Sequence, residues 1–254
     1  FDIDGTLWDF KEHIPASTAL AISSLRRAGH LVFINSGRTK AFIFNPALLS
    51  LGFDGIVSGC GCRIEYRDEV IYNHSLSPAQ ALSAVETFHR NGAKPILEGH
   101  EHLYLNQEDF AGDRYGDKLV AQLGERLLPI NAHWGNWDVC KFSCITPADS
   151  QAAIEKELSG SFYAMVHNER IAEYAPLGYT KGTGIIRICS LLDIDISDTI
   201  AFGDSVNDLE MIKTAGLGIA MGNGKEELKK AAGLVTAPLL EDGIYKACEE
   251  LHLF

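Results

Sequence analysis

The sequence predicts an α/β fold in which a doubly wound core on a parallel sheet is interrupted by an inserted α+β cap domain. Short apolar runs alternate with helical periodicity at both ends of the chain, which is typical of a parallel sheet. In the middle of the chain, helices and strands mix without that alternation. The length of 254 residues suits a core plus an additional unit. We therefore expect the core at residues 1–76 and 177–254 and the cap at residues 77–176.

The first core segment carries three stretches of the βα type. Pro15 and Gly29 mark the ends of its first helix, since Pro is favoured in the first turn and Gly just past the last. Residues 31–35 form a continuous apolar run, as expected for a parallel strand covered on both faces. Because the chain opens on Phe1 inside this pattern, we expect a few residues of the first strand upstream. The predicted elements are the end of a strand at 1–4, a helix at 15–28, a strand at 31–35, a helix at 40–51, a strand at 55–58 and a hairpin at 64–72.

The middle block begins where Ser77 and Pro78 form a helix start. Its predicted elements are a helix at 77–90, strands at 94–97 and 103–106, a helix at 116–127, a strand at 139–145, a helix begun by Thr146-Pro147 and ending at Gly160, and strands at 162–166 and 170–174. The alternation then returns, with helices at 183–192, 206–215, 225–232 and 242–251 and strands at 199–202 and 217–220.

Composition excludes several classes of partner. The formal net charge of −12 repels nucleic-acid backbones and anionic lipid, so we expect neither nucleic acid nor a membrane as a partner. No apolar run approaches the length of a bilayer span. Four of the six cysteines form a Cys60-x-Cys62 and a Cys140-x₃-Cys144 pair, whose spacing favours packing over a zinc site. A chain of this size needs no disulfides, so a cytoplasmic location is expected.

The first cluster with chemical potential is Asp2-Ile3-Asp4-Gly5-Thr6. Side chains at positions i and i+2 of an extended segment share a face, so two carboxylates converge at the carboxyl end of a strand. This is where α/β sheets bind ligands. A calcium loop needs further oxygen ligands downstream, and Leu7 and Trp8 follow instead.

A second acidic cluster, Gly203-Asp204-Ser205-Val206-Asn207-Asp208, follows another apolar strand and opens a helix. A helix N-cap explains one of these polar residues but not Asp204, Asn207 and Asp208 together. Two strand ends with at least four carboxylates repel each other without a cation. Mg²⁺ relieves such repulsion and keeps coordination positions for phosphate oxygens, so the pattern predicts a magnesium site.

Two shorter motifs can contact a phosphate group. Ser36-Gly37-Arg38 ends the second core strand, where a hydroxyl and backbone N–H groups at a helix start bind anions. Lys181-Gly182 precedes a helix and offers a positive charge. Each motif alone is common on protein surfaces, and their order along the chain adds weight to the set.

The combined pattern resembles the haloacid-dehalogenase-like (HAD) superfamily of phosphohydrolases, and within it the Cof-type group with an α/β cap of type IIB. That resemblance covers somewhat more than half the chain and implies a Rossmann-like core. The motifs that carry it are Phe1–Leu7, Asn35–Arg38, Lys181-Gly182, Gly203–Asp208 and Met221-Gly222-Asn223.

The resemblance implies a role for each motif residue. Asp2 is similar to the nucleophile that forms an aspartyl phosphate, and Asp4 to the general acid and base. The implied phosphate-binding residues are Ser36, Gly37, Lys181 and Asn207. The implied Mg²⁺ ligands are Asp2, Asp4 through its main-chain carbonyl, Asp204, and Asp208 directly or through water.

These residues lead us to expect a Mg²⁺-dependent phosphomonoesterase that acts on a small-molecule phosphate ester, such as a sugar phosphate or a phosphorylated cofactor. A phosphosugar mutase of the same fold and a non-catalytic metabolite-binding protein remain open, as does a monomeric or homodimeric state. The cap offers several polar and aromatic residues among which the sequence does not discriminate: Glu98, His100, Glu101, His102, Asn106, Trp134, Asn136 and Trp137.

Overall fold

The computed structural model describes residues 1–147 and 149–254, and the chain divides into two compact units. The first unit comprises Phe1–Gly37, Phe44–Asn73 and Tyr179–Phe254, and the second comprises Arg38–Ile43 and His74–Gly178. The boundaries after Asn73 and Gly178 differ from the predicted ones after residues 76 and 176, and residues 38–43 group with the second unit. None of the helices in the described part of the chain has the length and apolar character of a membrane span.

The helices and strands follow the chain in three groups. The N-terminal part of the first unit contains α1 (Ala16–Arg27), β1 (Phe33–Asn35), α2 (Pro46–Leu49), β2 (Gly55–Ser58), β3 (Arg63–Tyr66) and β4 (Glu69–Asn73). The second unit contains α3 (Pro78–Arg90), β5 (Lys94–Glu98), β6 (Leu103–Tyr104), α4 (Arg114–Leu123), β7 (Leu127–Leu128), β8 (Lys141–Ile145), α5 (Gln151–Leu158), β9 (Phe162–Val166) and β10 (Ile171–Pro176). The C-terminal part of the first unit contains α6 (Lys181–Leu192), β11 (Ile200–Gly203), α7 (Leu209–Thr214), β12 (Leu217–Ala220), α8 (Glu226–Ala231), β13 (Leu234–Val235) and α9 (Gly243–Glu250).

The first unit has two sets of parallel strands that the start of the chain joins. Strands β1 and β2 are parallel, with β3 and β4 added antiparallel, and β11, β12 and β13 are parallel to one another. The backbone N of Asn35 donates to the carbonyl of Phe1 at 2.7 Å, and the N of Asp2 donates to the carbonyl of Phe202 at 3.0 Å. Residues 1–2 therefore lie between β1 and β11. The predicted parallel-sheet core is confirmed, and its first acidic segment lies at the centre of the sheet.

The second unit is built on a six-stranded sheet in the order β7-β6-β5-β8-β10-β9, antiparallel except for the β6–β7 pair. The mixed antiparallel character confirms the predicted α+β unit. Aromatic side chains form its core: the ring of Phe88 on α3 lies 5.5 Å from that of Phe142 on β8 and 5.2 Å from that of Tyr174 on β10.

The same sheet holds a buried lysine on its other face. Lys141 precedes Phe142 on β8, and successive side chains of a strand point to opposite faces. The Lys141 residue is only 1% exposed. Its Nζ lies 3.4 Å from Glu98, its partner in the β5–β8 register, and forms an ion pair with Glu173 of β10. A hydrogen bond of 2.7 Å joins Glu173 to His167, which extends the cluster toward solvent.

Five local predictions were wrong or incomplete. The predicted helix at 116–127 ends at Leu123, and Leu127–Leu128 form strand β7. The predicted helix at 40–51 is a 3₁₀ turn at Lys40–Phe42 followed by the short α2, because Pro46 holds the preceding Asn45 extended. Helix α5 begins at Gln151, so Thr146 and Pro147 do not cap it; part of the predicted start lies outside the described residues. The predicted helix at 206–215 begins as a 3₁₀ turn. Strand β13 was missed because two residues are too few for a periodic pattern.

Candidate active site

The first acidic segment turns sharply after the centre of the sheet. Gly5 has φ of +84°, and a Cβ built on it would lie 2.3 Å from Oδ2 of Asp204. A residue with a side chain would therefore displace the Asp204 carboxylate. Thr6 Oγ1 donates to Asp204 Oδ1 at 3.1 Å, which ties the two acidic segments together. The turn brings the end of the first segment onto the loop after β11.

The second acidic segment folds around the carboxylate of Asp208, which is completely buried. Its Oδ2 accepts hydrogen bonds from the backbone N of Asp204 and of Ser205, both at 3.0 Å. Gly203 permits this close return, since a Cβ there would lie 2.6 Å from the Cβ of Asp208. Asp208 thus shapes the loop that presents Asp204.

Three carboxylates meet at this edge of the sheet. Asp2, Asp204 and Asp208 are buried, and each offers an oxygen that lies within 4.8 Å of the others. Among the described residues, this is the group of acidic, histidine and cysteine side chains with the geometry to hold a metal ion. A donor set made only of carboxylate oxygens suits a hard cation such as Mg²⁺.

Lys181 is the positive charge within this cluster. It opens α6, its residue is only 2% exposed, and Thr180 caps the helix by accepting from the backbone N of Thr183. The Nζ of Lys181 donates to Oδ1 of Asp2 and to Oδ1 of Asp208, both at 2.6 Å. One ammonium group therefore bridges the two acidic segments.

The pKa values of the acidic groups show how strongly the site demands positive charge. Burial, and then the nearby Asp208 carboxylate, raises the pKa of Asp2 to about 7, against the opposing effect of Lys181. Burial and Asp208 likewise raise the pKa of Asp204 to about 6. Burial alone lowers the pKa of Lys181, but Asp2 and Asp208 outweigh it and hold that pKa above its usual value. A divalent cation fits this site because it stabilises the ionised carboxylates that Lys181 alone does not neutralise.

Asp4 is not one of the three clustered carboxylates, but it is close enough for its charge to raise the pKa of Asp204. Its Oδ1 accepts a hydrogen bond from Nε1 of Trp8 at 2.9 Å, and a backbone bridge joins the same two residues. The indole therefore orients this carboxylate. Trp8 was not assigned a role from the sequence, although its i+4 spacing from Asp4 within a turn is a usable signal.

The loop after β1 lies beside the second acidic segment. Ser36 is buried, its backbone N donates to the carbonyl of Val57 at 2.9 Å, and its own carbonyl accepts from Cys60 N at 3.1 Å. A Cβ built on Gly37 would lie 4.0 Å from Nδ2 of Asn207. Asn207 Oδ1 is 3.5 Å from Nζ of Lys181. Gly37, Asn207 and Lys181 are therefore close neighbours, and Ser36 directly precedes Gly37 in the loop.

Two asparagines support the site without having been assigned roles from the sequence. Asn35 Nδ2 donates to the carbonyl of Lys181 at 2.9 Å and so fixes the start of α6 to the end of β1. Asn223 Nδ2 donates to the carbonyl of Gly5 at 2.8 Å, and its Oδ1 accepts from Leu239 N at 2.8 Å. The available signal was that both lie in motifs that carry the family resemblance, Asn35–Arg38 and Met221–Asn223.

In the second unit, several of the polar and aromatic candidate residues make contacts within that unit. His100 is 1% exposed, and its Nε2 donates to the carbonyl of His74. Trp137 is buried and donates to the carbonyl of Ile130. Glu98 is buried beside Lys141, whereas Trp134 remains 46% exposed.

A family model supports the motif pattern over nearly the whole chain. The model described as haloacid dehalogenase-like hydrolase matches residues 1–248. The chain belongs to this family. The predicted resemblance is thereby confirmed, and it extends through the second unit as well as the core.

Relatives of this HAD-like hydrolase carry phosphatase names. The protein named "Putative phosphatase YkrA" of Bacillus subtilis (strain 168) is 33% identical over 264 aligned residues, which cover 100% of this chain and 96% of YkrA. The HMP-PP phosphatase of Yersinia pseudotuberculosis serotype O:1b is 27% identical over 242 aligned residues, covering 91% of this chain and 85% of that protein.

Solved structures agree in fold. The HAD subclass IIB sugar phosphatase BT4131 superposes with a TM-score of 0.84 at 27% identity, with 100% of this chain and 98% of that chain covered. A protein from Geobacillus kaustophilus HTA426 reaches 0.86 at 29% identity, with the same coverage of both chains. The HAD-like hydrolase described here is a phosphatase, and its fold matches that of these solved structures.

Proposed function

We propose that this phosphatase is a Mg²⁺-dependent phosphomonoesterase that acts on small phosphorylated metabolites through an aspartyl-phosphate intermediate. The observation that carries the proposal is the bridge from Lys181 to Asp2 and Asp208, with Asp204 in the same buried cluster. Phosphoryl transfer depends mainly on positioning and on neutralising charge, and this cluster supplies both.

The first half-reaction is assigned to Asp2 and Asp4. A carboxylate oxygen of Asp2 attacks phosphorus, the bond from phosphorus to the leaving-group oxygen breaks, and Asp4 gives that oxygen a proton. Lys181 holds Oδ1 of Asp2 at 2.6 Å and so orients the attacking carboxylate. Trp8 holds the Asp4 carboxylate through the 2.9 Å hydrogen bond.

In the second half-reaction, Asp4 takes a proton from water, which attacks phosphorus and releases inorganic phosphate and the free Asp2 carboxylate. This step distinguishes a phosphatase from a mutase, which returns the phosphoryl group to a second sugar hydroxyl. Ser36, Gly37, Lys181 and Asn207 are proposed to hold the transferring group through their hydroxyl, backbone, ammonium and amide groups.

Mg²⁺ supplies positive charge to the phosphoryl oxygens when it is bound. We assign it to the carboxylates of Asp2 and Asp204 and to the main-chain carbonyl of Asp4. The Asp208 carboxylate already accepts from Lys181 and from two backbone amides. We therefore assign Asp208 to the metal through water.

The second unit is proposed as the cap that recognises the leaving group of the substrate. The named activities of relatives, an HMP-PP phosphatase and a sugar phosphatase, support a phosphorylated cofactor or a sugar phosphate. A cytoplasmic location belongs to the same proposal, since a chain of this size with six buried cysteines does not need disulfides for stability. Either a monomer or a homodimer is compatible with it.

The decisive experiment replaces the nucleophile. Asp2→Asn should abolish phosphate release from p-nitrophenyl phosphate in the presence of Mg²⁺, while circular dichroism shows a folded protein. The matched control is Asp68→Asn in the exposed turn between β3 and β4, which should retain full turnover. Undiminished turnover of the Asp2 variant would refute the nucleophile assignment. Rearrangement of a sugar phosphate without release of inorganic phosphate would indicate a mutase.

A further inference from the structure

Two tyrosines lie at the points where the chain leaves the first unit and where it re-enters that unit. Tyr72 lies in β4, one residue before the boundary after Asn73, and Tyr179 is the first residue after Gly178. Their hydroxyl oxygens are 2.8 Å apart, although 107 positions separate the residues in the sequence. We call the two connections between the units, after Asn73 and after Gly178, the linkers. A hydrogen bond of this length joins the ends of both linkers on the side of the first unit.

Arg187 of α6 covers both tyrosine rings. Its guanidinium carbon lies 4.2 Å from the ring centroid of Tyr179 and 5.2 Å from that of Tyr72, which is the range of cation–π attraction. Its Nη1 also donates to the carbonyl of Gly61 at 3.3 Å and to Oγ1 of Thr183 at 3.2 Å. The tyrosine pair is thus attached to the helix that begins with Lys181.

Close packing at Gly61 makes this attachment possible. Gly61 has φ of +87°, and a Cβ there would lie 3.1 Å from Cα of Gly184 and 3.2 Å from Nη1 of Arg187. The turn that follows β2 therefore lies directly on the first turns of α6. Within the same turn, the backbone N–H of Cys60 donates to the carbonyl of Ser36. The arginine is in contact with the framework of the active site.

The other end of each linker is fixed by residues of the second unit. The carbonyl of His74 accepts from His100 at 3.0 Å, and the backbone N of Leu177 donates to the carbonyl of Ser161 at 2.9 Å. The first linker is thus fixed on both sides of the connection from residue 73 to residue 74. In the second linker, Gly178 lies between Leu177 and Tyr179 and has φ of +84°, a conformation that favours glycine.

We propose that Arg187 is a positioning residue which, with Tyr72 and Tyr179, ties both linkers to the helix of Lys181. The consequence for catalysis rests on the proposed function, because linker movement that reached α6 would displace the ammonium group that orients Asp2. The contacts among Arg187, Tyr72 and Tyr179, which we call the tie, do not depend on that function.

The hydroxyl of Tyr179 is a weaker acid than an ordinary tyrosine hydroxyl. Burial, and then the hydrogen bond with Tyr72, holds the pKa of Tyr179 above its usual value. The Tyr179 hydroxyl therefore stays protonated in neutral solution, and the hydrogen bond is tested by substitution rather than by a change of pH.

Hydrogen–deuterium exchange tests the tie without any assay of activity. The Tyr72→Phe/Tyr179→Phe double variant keeps both rings and removes the hydroxyl pair, and Arg187→Met removes the cation. Both should raise amide exchange at residues 177–184 about five- to tenfold, with α1 unchanged. Tyr245→Phe, on α9 of the same unit, is the matched control and should leave exchange at these residues unchanged. Unchanged exchange at residues 177–184 in both variants overturns the proposal.

Kinetics then test the link to Lys181. In Arg187→Met, kcat for p-nitrophenyl phosphate should fall about tenfold or more, with little change in KM, because a displaced catalytic group slows the chemical step. An unchanged kcat despite faster exchange would overturn the positioning role. A wild-type protein without phosphatase activity would overturn the proposed function alone, since the exchange result would still decide the tie.

Discussion

Replacing Lys141 by methionine should destabilise the second unit strongly, because the lysine is the cation between two buried carboxylates. The Lys141 and Glu98 residues are 1% and 6% exposed, and the Glu173 side chain is 25% exposed. Methionine preserves most of the side-chain volume, so the change removes mainly the charge. Removing one partner of a buried ion pair costs about 3–5 kcal/mol. At roughly 2–4 °C per kcal/mol for a protein of this size, the melting temperature should fall by about 6–20 °C.

The pH dependence identifies the cause of the loss. In the wild-type protein burial raises the pKa of Glu173, but Lys141 and His167 together outweigh it and the pKa lies below its usual value. This carboxylate therefore contributes stability above the unfolded pKa of about 4.5 and loses it as the pH falls through the folded value. Lys141 opposes the effect of burial on both Glu98 and Glu173, so its loss shifts the folded pKa of each carboxyl upward, and protonation then stabilises the variant as the pH falls. The difference in unfolding free energy should shrink from pH 8 to pH 5.

Urea denaturation at both pH values measures this difference. The matched control is Lys229→Met, since Lys229 pairs with an exposed Glu226 on the surface of α8 and such pairs contribute at most about 1 kcal/mol. A loss of less than about 1 kcal/mol at pH 8 for Lys141→Met, or a loss independent of pH, would refute the assignment of a buried charge cluster.

Two further changes test the acidic site. Gly5→Ala should abolish phosphatase activity, because the new Cβ would meet the Asp204 carboxylate at 2.3 Å; Gly29→Ala has a similarly positive φ but no neighbour within 4 Å, and it should retain turnover. In Asp204→Asn, Mg²⁺ should no longer raise the melting temperature, because one of three clustered carboxylates is lost and ion binding is what stabilises the folded state. Calorimetry with and without Mg²⁺ measures this effect, and an Asp204 variant that Mg²⁺ stabilises as much as the wild type would contradict the metal assignment.

Much of the fold was predictable because its signals are local. The apolar run that contains β1 and the helical periodicity of α1 each follow from a few consecutive residues. The convergence of Asp2 and Asp204 was also predictable, because parallel strands end at one edge of a sheet. The residues at 40–51 were mispredicted because one proline restricts its neighbour more strongly than periodicity favours a helix.

The sequence by itself determined the strand-end motifs, the order of the elements and the family to which the chain belongs. Only the tertiary structure decided which partner each polar group has: Trp8 for Asp4, two backbone amides and Lys181 for Asp208, and Glu98 and Glu173 for Lys141. The physical reason is that periodicity reports burial along a single element. Hydrogen bonds and ion pairs such as that between Tyr72 and Tyr179 join residues far apart in the chain, and packing alone brings those residues together.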